Sequence, residues 1–386
     1  MREVVLIRYS EIAVKGKYTR SRMVSRLINN ISRVLDYKGI KYDDITQVDS
    51  RIVMWAPPSS IKESMPFIGR VFGVKSYSPA VLLDTSSLDE IAEKAVALYG
   101  SKIEDRKFMV RVRRVGDHNY TSKDAERVIG GTLLDTGKAL GVDLERPDYT
   151  LYVEIRGDKT FMYDEIYPGP GGLPLGSESK VLMMFSGGFD STVASWMMMK
   201  RGSPVDLVYY DFGNIENWNT ALEVARKLVN EHVMGQYKPL LYRVDFHDTV
   251  KTIVGLVRRN YRVLVIRRLM LTHSAKLALS KGYLALSTGE SLGQVSSQTV
   301  ESLHVISSHL QIPVLRPLIA LDKDEIIELS RRISLFEACS RQREFCAVEG
   351  SRPTPRPNPQ IFNEEYIKAL MAIEDIWPPR IDLIRL

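Results

Sequence analysis

Three stretches of the chain hold residues whose types and spacing can do chemistry. Ser186-Gly187-Gly188-Phe189-Asp190-Ser191-Thr192 directly follows the apolar run Val181-Leu182-Met183-Met184-Phe185 and leads into a helical pattern at Thr192–Arg201. Two glycines let a backbone come close to a phosphate, and a helix N-terminus offers unpaired N–H groups and the positive end of its dipole. The Ser and Thr hydroxyls add donors, and Asp190 can hold Mg²⁺ or order the loop. A glycine turn with a helix cap explains the same residues without a ligand, but the strand-to-helix position favours the phosphate. The spacing is not that of the dinucleotide fingerprint, and the Lys of the triphosphate loop is missing.

The second stretch, Ala285–Thr299, ends a strand and opens a polar loop where a ligand lies at the switch point of an open sheet. The third, Asp322-Lys323-Asp324-Glu325, follows Pro313–Ile319. Lys323 can neutralise charge growing on a phosphate, or it is a solvated lysine on a first helical turn. Two cysteines, Cys339 and Cys346, lie beyond this core. Arg341, Arg343 and Arg352 would lower the pKa of a nearby thiolate, whereas a lone Cys is more often a small buried hydrophobe.

The elements that must position these groups fall into three blocks. Val4–Tyr9 and Ile52–Trp55 read as strands, and Arg22–Leu35 as a helix. After Pro57-Pro58 come helices at Leu88–Leu98 and Asp124–Leu140 and strands at Phe108–Val112, Thr150–Ile155 and Thr160–Tyr163. The Pro/Gly run from Tyr167 to Gly176 cannot continue a helix or a central strand, and it reads as a linker or an ordered loop. Strands at 181–185, 205–210, 240–244, 283–287 and 313–315 then alternate with helices at 192–201, 220–232, 250–260 and 264–281. That alternation predicts a doubly wound, parallel α/β sheet preceded by two small α+β domains. The expected boundaries are 1–58, 59–167, a linker at 168–176, and 177–386.

Composition removes several classes. With 386 residues, 44% hydrophobic and 26% charged, the chain is globular, and it has no apolar run of bilayer length. Two cysteines and no export signal predict a cytoplasmic protein without a disulfide scaffold, and they cannot supply four thiolates to a metal cluster. The net charge of +6 is concentrated in residues 1–60, which hold 11 Lys/Arg against 6 Asp/Glu. Lys15, Lys17 and Arg20 in that strip suit RNA phosphates, or a solvated face.

The glycine loop resembles the SGGxDS loop of N-type ATP pyrophosphatases, which split ATP between its α and β phosphates. Taken with Thr288–Thr299, Lys323, the opening Ile7–Lys17 and Glu344-Phe345-Cys346-Ala347-Val348 before Pro353-Thr354, the chain closely resembles the tRNA 4-thiouridine synthetase family. The resemblance spans nearly the whole chain and implies a ferredoxin-like domain, a THUMP RNA-binding domain and a pyrophosphate-loop domain. Phe189 and Thr192 stand where Ile and Pro are common in that family.

By this resemblance, ATP with Mg²⁺ binds at Ser186, Gly187, Gly188, Phe189, Asp190 and Ser191, with Tyr210, Arg268, Gly289, Gln294 and Arg316 as further nucleotide contacts. Uridine O4 at tRNA position eight attacks the α-phosphate, and sulfur from Cys346 replaces it. Asp190 and Lys323 serve the adenylation, and Cys339 is the candidate resolving thiol. Arg111, Arg113, Arg114, Lys123 and Arg127 join Lys15, Lys17 and Arg20 as candidates for tRNA contact. Only 40 residues follow Cys346, without the rhodanese domain of many bacterial members, so the sulfur donor is expected to be an external persulfide carrier or sulfide. A homodimer and a role in thiazole synthesis follow from the family alone. The rivals are a 2-thiocytidine synthetase, whose CxxC pattern is absent, a lysidine synthetase, which needs no cysteine, and a non-catalytic tRNA binder. A THUMP methyltransferase is disfavoured by the lack of a suitable glycine fingerprint.

Overall fold

The computed structural model describes residues 1–342 and 353–386 and divides into two compact units, Met1–Leu173 and Pro174–Leu386. The first unit runs β1 (Arg2–Arg8), α1 (Lys17–Lys38), β2 (Asp44–Val48), β3 (Arg51–Trp55), α2 (Pro58–Ile68) and β4 (Ser76–Leu83). It continues with α3 (Leu88–Tyr99), β5 (Lys107–Val115), α4 (Ser122–Leu134), β6 (Gly141–Val142), β7 (Tyr149–Arg156), β8 (Lys159–Tyr163) and β9 (Tyr167–Pro168). Its strands form one sheet in the order β2-β3-β1-β4-β8-β7-β5-β6, with β9 beside β4. The two small modules expected here therefore share a sheet.

β4 is the seam of that sheet, and its Pro79 explains why it does not read as a strand. Proline removes a ladder donor and argues against a central strand. β4 pairs with β1 along its length, but on its other side β9 meets Ser76 and Tyr77 while β8 meets Val81–Leu83. Pro79 falls in the gap between them. Pro57-Pro58, which reads as punctuation, instead opens α2, with Pro58 in the first turn, where the missing N–H has no partner to lose.

The sheet curls. β3 and β7 are four strand spacings apart, about 19 Å in a flat sheet. Yet Arg51 Nε donates to Glu154 Oε2 at 2.9 Å. Glu154 also accepts from Arg8 Nε at 3.1 Å, from Arg156 Nη2 at 2.8 Å and from the Tyr163 hydroxyl at 3.0 Å. Arg156 reaches on to Asp49 at 2.6 Å, in the turn between β2 and β3. An apolar cluster of Val4, Leu6, Val53, Ala80, Leu82, Phe161 and Tyr163 fills the concave face beside these charges. On the opposite face, α3 and α4 cover Phe108, Val110, Leu151, Val153 and Ile155.

The second unit runs β10 (Val181–Met184), α5 (Phe189–Lys200), β11 (Val205–Asp211), α6 (Ile215–Leu228), β12 (Leu240–Asp245), α7 (His247–Leu256) and α8 (Arg262–Ser280). It continues with β13 (Leu286–Ser287), α9 (Val300–Ser307), β14 (Val314–Leu315), α10 (Lys323–Arg332), α11 (Phe336–Cys339), α12 (Pro359–Ala372) and β15 (Ile381–Arg385). The sheet order is β14-β13-β10-β11-β12-β15, parallel except for the antiparallel edge strand β15. The apolar run at 181–184 fits a strand covered on both faces. Chain order reverses between β10 and β13, which makes the crevice beyond their carboxyl ends the expected ligand site.

Candidate active site

The loop that follows β10 lies at this crevice. Ser186 N donates to Ser191 Oγ at 3.1 Å, the two hydroxyls are 3.1 Å apart, and Gly188 N donates to Ser186 Oγ at 3.3 Å. Gly188 caps α5 without any side-chain cap, so the first N–H groups of the helix have no intrahelical partner. Gly187 has φ +81°, and a Cβ on it would stand 2.7 Å from Ala221 Cα of α6. Any other residue would lift the loop off α6, so this turn requires glycine.

Asp190 is the junction of the site. Lys323 Nζ donates to Asp190 Oδ1 at 2.8 Å, and Gln294 Nε2 donates to Oδ2 at 3.0 Å. Both partners lie more than a hundred positions from Asp190 in sequence. Lys323 opens α10 just after Asp322, which forms a reciprocal capping box with Glu325 and so fixes where the lysine leaves the backbone. Gln294 comes from the loop after β13. At the start of that loop a Cβ on Gly289 would stand 2.6 Å from Asp190 C, so only glycine allows this approach. Phe189 packs on Phe336 of α11 at 5.4 Å between ring centroids, which accounts for an aromatic residue at this position.

Three nucleotide candidates have their polar groups engaged by partners within the protein. The Tyr210 hydroxyl is buried against Met270 O, His273 Nδ1 and Ser274 Oγ at 2.7–2.9 Å. Its polar group serves the core between β11 and α8. Arg268 is buried, donates to Val305 O and Ser308 Oγ, and stacks on Tyr366. It ties α8 to α9. Arg316 reaches Glu290 and Ser307. Sequence spacing alone does not separate Arg267 from Arg268. Helix phase does, because Arg267 points to the loop, with Nη2 on Glu290 at 2.5 Å and Nη1 on Ser297. Arg267 and Glu290, neither of them a candidate from the sequence, thus meet in the loop that carries Gly289 and Gln294. A single acidic residue in a loop rich in Ser and Gly is the sequence signal that points to Glu290.

Cys339, the candidate resolving thiol, is buried. Burial pushes its thiol pKa up, and the Thr192 hydroxyl and Lys227 only partly offset this. Arg341, expected to lower it, pairs with Glu223 instead. The expectation for Cys346, with Arg343 and Arg352, lies outside the described residues. Among the described residues no group of three or more His, Cys, Asp or Glu can hold a metal ion. No described helix is long and apolar enough to cross a membrane.

The profile of the thiamine biosynthesis protein (ThiI) family matches residues 176–371, just over half of the chain. The chain belongs to the ThiI family. Profiles of the ThiI ferredoxin-like domain and the THUMP domain match residues 4–78 and 85–165, which bears out the three-part order read from the motifs. A probable tRNA sulfurtransferase of Aeropyrum pernix is 49% identical over 98% of this chain and 94% of its own. A tRNA sulfurtransferase of Thermoplasma acidophilum is 39% identical over 93% of this chain and 73% of its own. A crystal structure of a 4-thiouridine synthetase–RNA complex with bound ATP matches with a TM-score of 0.81 and 27% identity, covering 100% of both chains.

Within this family member the basic candidates lie apart from Asp190 in sequence and in chain unit. Arg111 and Arg113 are exposed and alternate along β5 on the face opposite Val110 and Val112. Arg114 is spent on Gly116 O and His118, bracing the turn after β5. Lys123 and Arg127 are exposed on α4, and Lys17 is exposed at the start of α1. Lys15 and Arg20 are partly covered, and Arg20 reaches Ala13 O.

Proposed function

We propose that this protein is an ATP-dependent tRNA sulfurtransferase that converts a uridine, position eight by family resemblance, to 4-thiouridine. The observation that carries the reading is the Asp190 junction: a glycine loop at a sheet switch point whose carboxylate is met by Lys323 and Gln294. The left-handed turn at Gly187 leaves the loop backbone open to phosphates, Gly289 packs closely on the backbone of Asp190, and the two together fit a nucleoside triphosphate. ATP is the co-substrate, held by the Ser186–Ser191 loop. Mg²⁺ would be held by Asp190 together with the phosphates and would supply charge neutralisation there.

In this reading uridine O4 attacks the α-phosphate of ATP and pyrophosphate leaves from the loop. Lys323 exchanges Asp190 for the α-phosphate and neutralises its growing charge. The terminal sulfur of a Cys346 persulfide, loaded by an external donor, then attacks C4 and AMP leaves. A second thiol attacks Cys346 Sγ, forms a disulfide and releases the thiolated base with both sulfur electrons accounted for. Cys339 is the candidate for that thiol, and it must leave its buried place to act. Free sulfide would attack C4 directly and would need no second thiol. The N-terminal unit holds the tRNA by shape and phosphates, since A-form helices offer little sequence to read. The active form is proposed to be a cytoplasmic homodimer.

The test combines ATP, Mg²⁺, unmodified tRNA and either sulfide or a persulfide donor, and follows the near-ultraviolet band of 4-thiouridine. The band is expected with wild type and is expected to disappear in Cys346→Ser when a persulfide donor supplies the sulfur. ATP consumption without a band from either source would overturn the product. Full activity of Cys346→Ser with the persulfide donor would overturn the persulfide route.

A further inference from the structure

We propose that Glu290 is a positioning residue of the nucleotide site, holding the loop from Thr288 to Gln298 so that Gly289 and Gln294 lie against Asp190. The inference rests on the pyrophosphate-loop reading above. Glu290 is only 4% exposed. Its Oε1 accepts from Arg267 Nη2 at 2.5 Å, and its Oε2 accepts from Arg316 Nε at 2.5 Å and Thr288 Oγ1 at 2.9 Å. Arg267 carries the link to Ser297 O at 2.8 Å, and Arg316 carries it to Ser307 Oγ at 2.6 Å. One carboxylate therefore ties α8, the end of β14, α9 and both limbs of the loop together.

Glu290 has no direct contact with Asp190, and its neighbours provide the connection. Gly289 is one residue away and has no slack, since an added Cβ would meet Asp190 C at 2.6 Å and Ser191 N at 2.7 Å. Ser291 N donates to Gln298 Oε1 at 3.0 Å, and Ser291 Oγ donates to Leu321 O at 2.6 Å, two residues before Lys323. The segments that carry Gln294 and Lys323, the two partners of Asp190, are thus both anchored on Ser291, the residue after Glu290. The charge is needed as well as the shape. A carboxamide can accept on one atom only, and its NH₂ would face the second guanidinium.

The test uses the full chain and measures ATP affinity by equilibrium titration, together with pyrophosphate release in the presence of tRNA. Glu290→Gln is expected to raise Kd and KM for ATP by about tenfold, with a smaller fall in kcat. A purely structural role would not couple to the loop, so Glu290→Gln is combined with Gln294→Ala. If Glu290 acts through Gln294, the double variant is only slightly worse than the weaker single. Effects that multiply, or wild-type ATP affinity in Glu290→Gln, overturn the proposal. Should Glu290→Gln fail to fold, Ser307→Ala removes only the outer support of Arg316. It is expected to weaken ATP binding by about two- to threefold, and unchanged affinity there overturns the proposal too. A wild-type protein that does not bind ATP overturns the underlying nucleotide reading, whereas ATP binding that is indifferent to these variants overturns Glu290 alone.

Discussion

Two buried glutamates, one in each unit, solve the same electrostatic problem with different consequences. Glu154 collects Arg8, Arg51 and Arg156, and Glu290 collects Arg267 and Arg316. Both carboxylates are almost free of solvent, and in both the paired arginines hold the pKa down against burial, which pushes it up. Around Glu154 the partners are strands and a hairpin turn, so the cluster sets the curl of a sheet. Around Glu290 the partners are the ends of parallel strands and the helices beside them, and the preceding residue, Gly289, lies against Asp190 in the glycine loop. A buried ion cluster therefore does not by itself identify an active site. What its neighbours touch decides that.

The contrast can be broken experimentally, starting from the site itself. Asp190→Ala is expected to lower tRNA-dependent pyrophosphate release by about 10²–10³ while the melting of the N-terminal unit stays unchanged. A comparable melting shift in both units would erase the contrast between them. Glu154→Gln leaves three buried guanidiniums short of a counter-charge and is expected to destabilise the N-terminal unit by about 3 kcal/mol. ATP affinity should stay at the wild-type value, which calorimetry can check.

Acid provides a milder probe of the same cluster. The Glu154 pKa is held down to about 2 from an ordinary 4.5, although burial, the largest influence, opposes this and Arg51 and Arg8 outweigh it. A carboxylate with a depressed folded-state pKa stabilises the fold fully above its unfolded value and loses that contribution as pH falls. The N-terminal unit should therefore lose stability progressively from about pH 4.5 towards pH 2, and Glu154→Gln should flatten that part of a pH–melting curve. The smallest effects belong to the surface. Lys17→Ala or Lys123→Ala should reduce the slope of log affinity for tRNA against log salt by about 0.7–0.9 each, if each contacts one phosphate. An unchanged slope removes that residue from the interface. Cys339→Ser should slow turnover with a persulfide donor and leave turnover with sulfide unchanged, and a wild-type rate with the persulfide donor would exclude Cys339 as the resolving thiol.

How legible each part was depended on the range of the interactions. The strands and helices of the parallel unit were readable because apolar runs and helical spacing are local signals, and β10, α5 and β11 fall within a few residues of their expected places. β4 was not readable, because Pro79 is tolerated only where two other strands leave a gap. The helix expected to reach Leu140 stops at Leu134, since Gly137 takes a left-handed turn at φ +71°. The helix expected from Thr220 starts at Ile215, where Asn214 caps it through Asn217 N.

The sequence by itself determined the chemistry available: a glycine loop with Asp190, a distant Lys323, two cysteines and a basic front end. Those letters suffice because phosphate binding at a helix N-terminus is a local property of backbone and residue type. Only the tertiary structure decided which groups act together. It placed Lys323 and Gln294 on one carboxylate, turned Arg267 rather than Arg268 toward the loop, and buried Cys339. The physical reason is that an ion pair or a desolvated thiol depends on distances between residues far apart in the chain. Such distances are set by how strands stack and by the rotational phase of each helix, and neither is written at any single position.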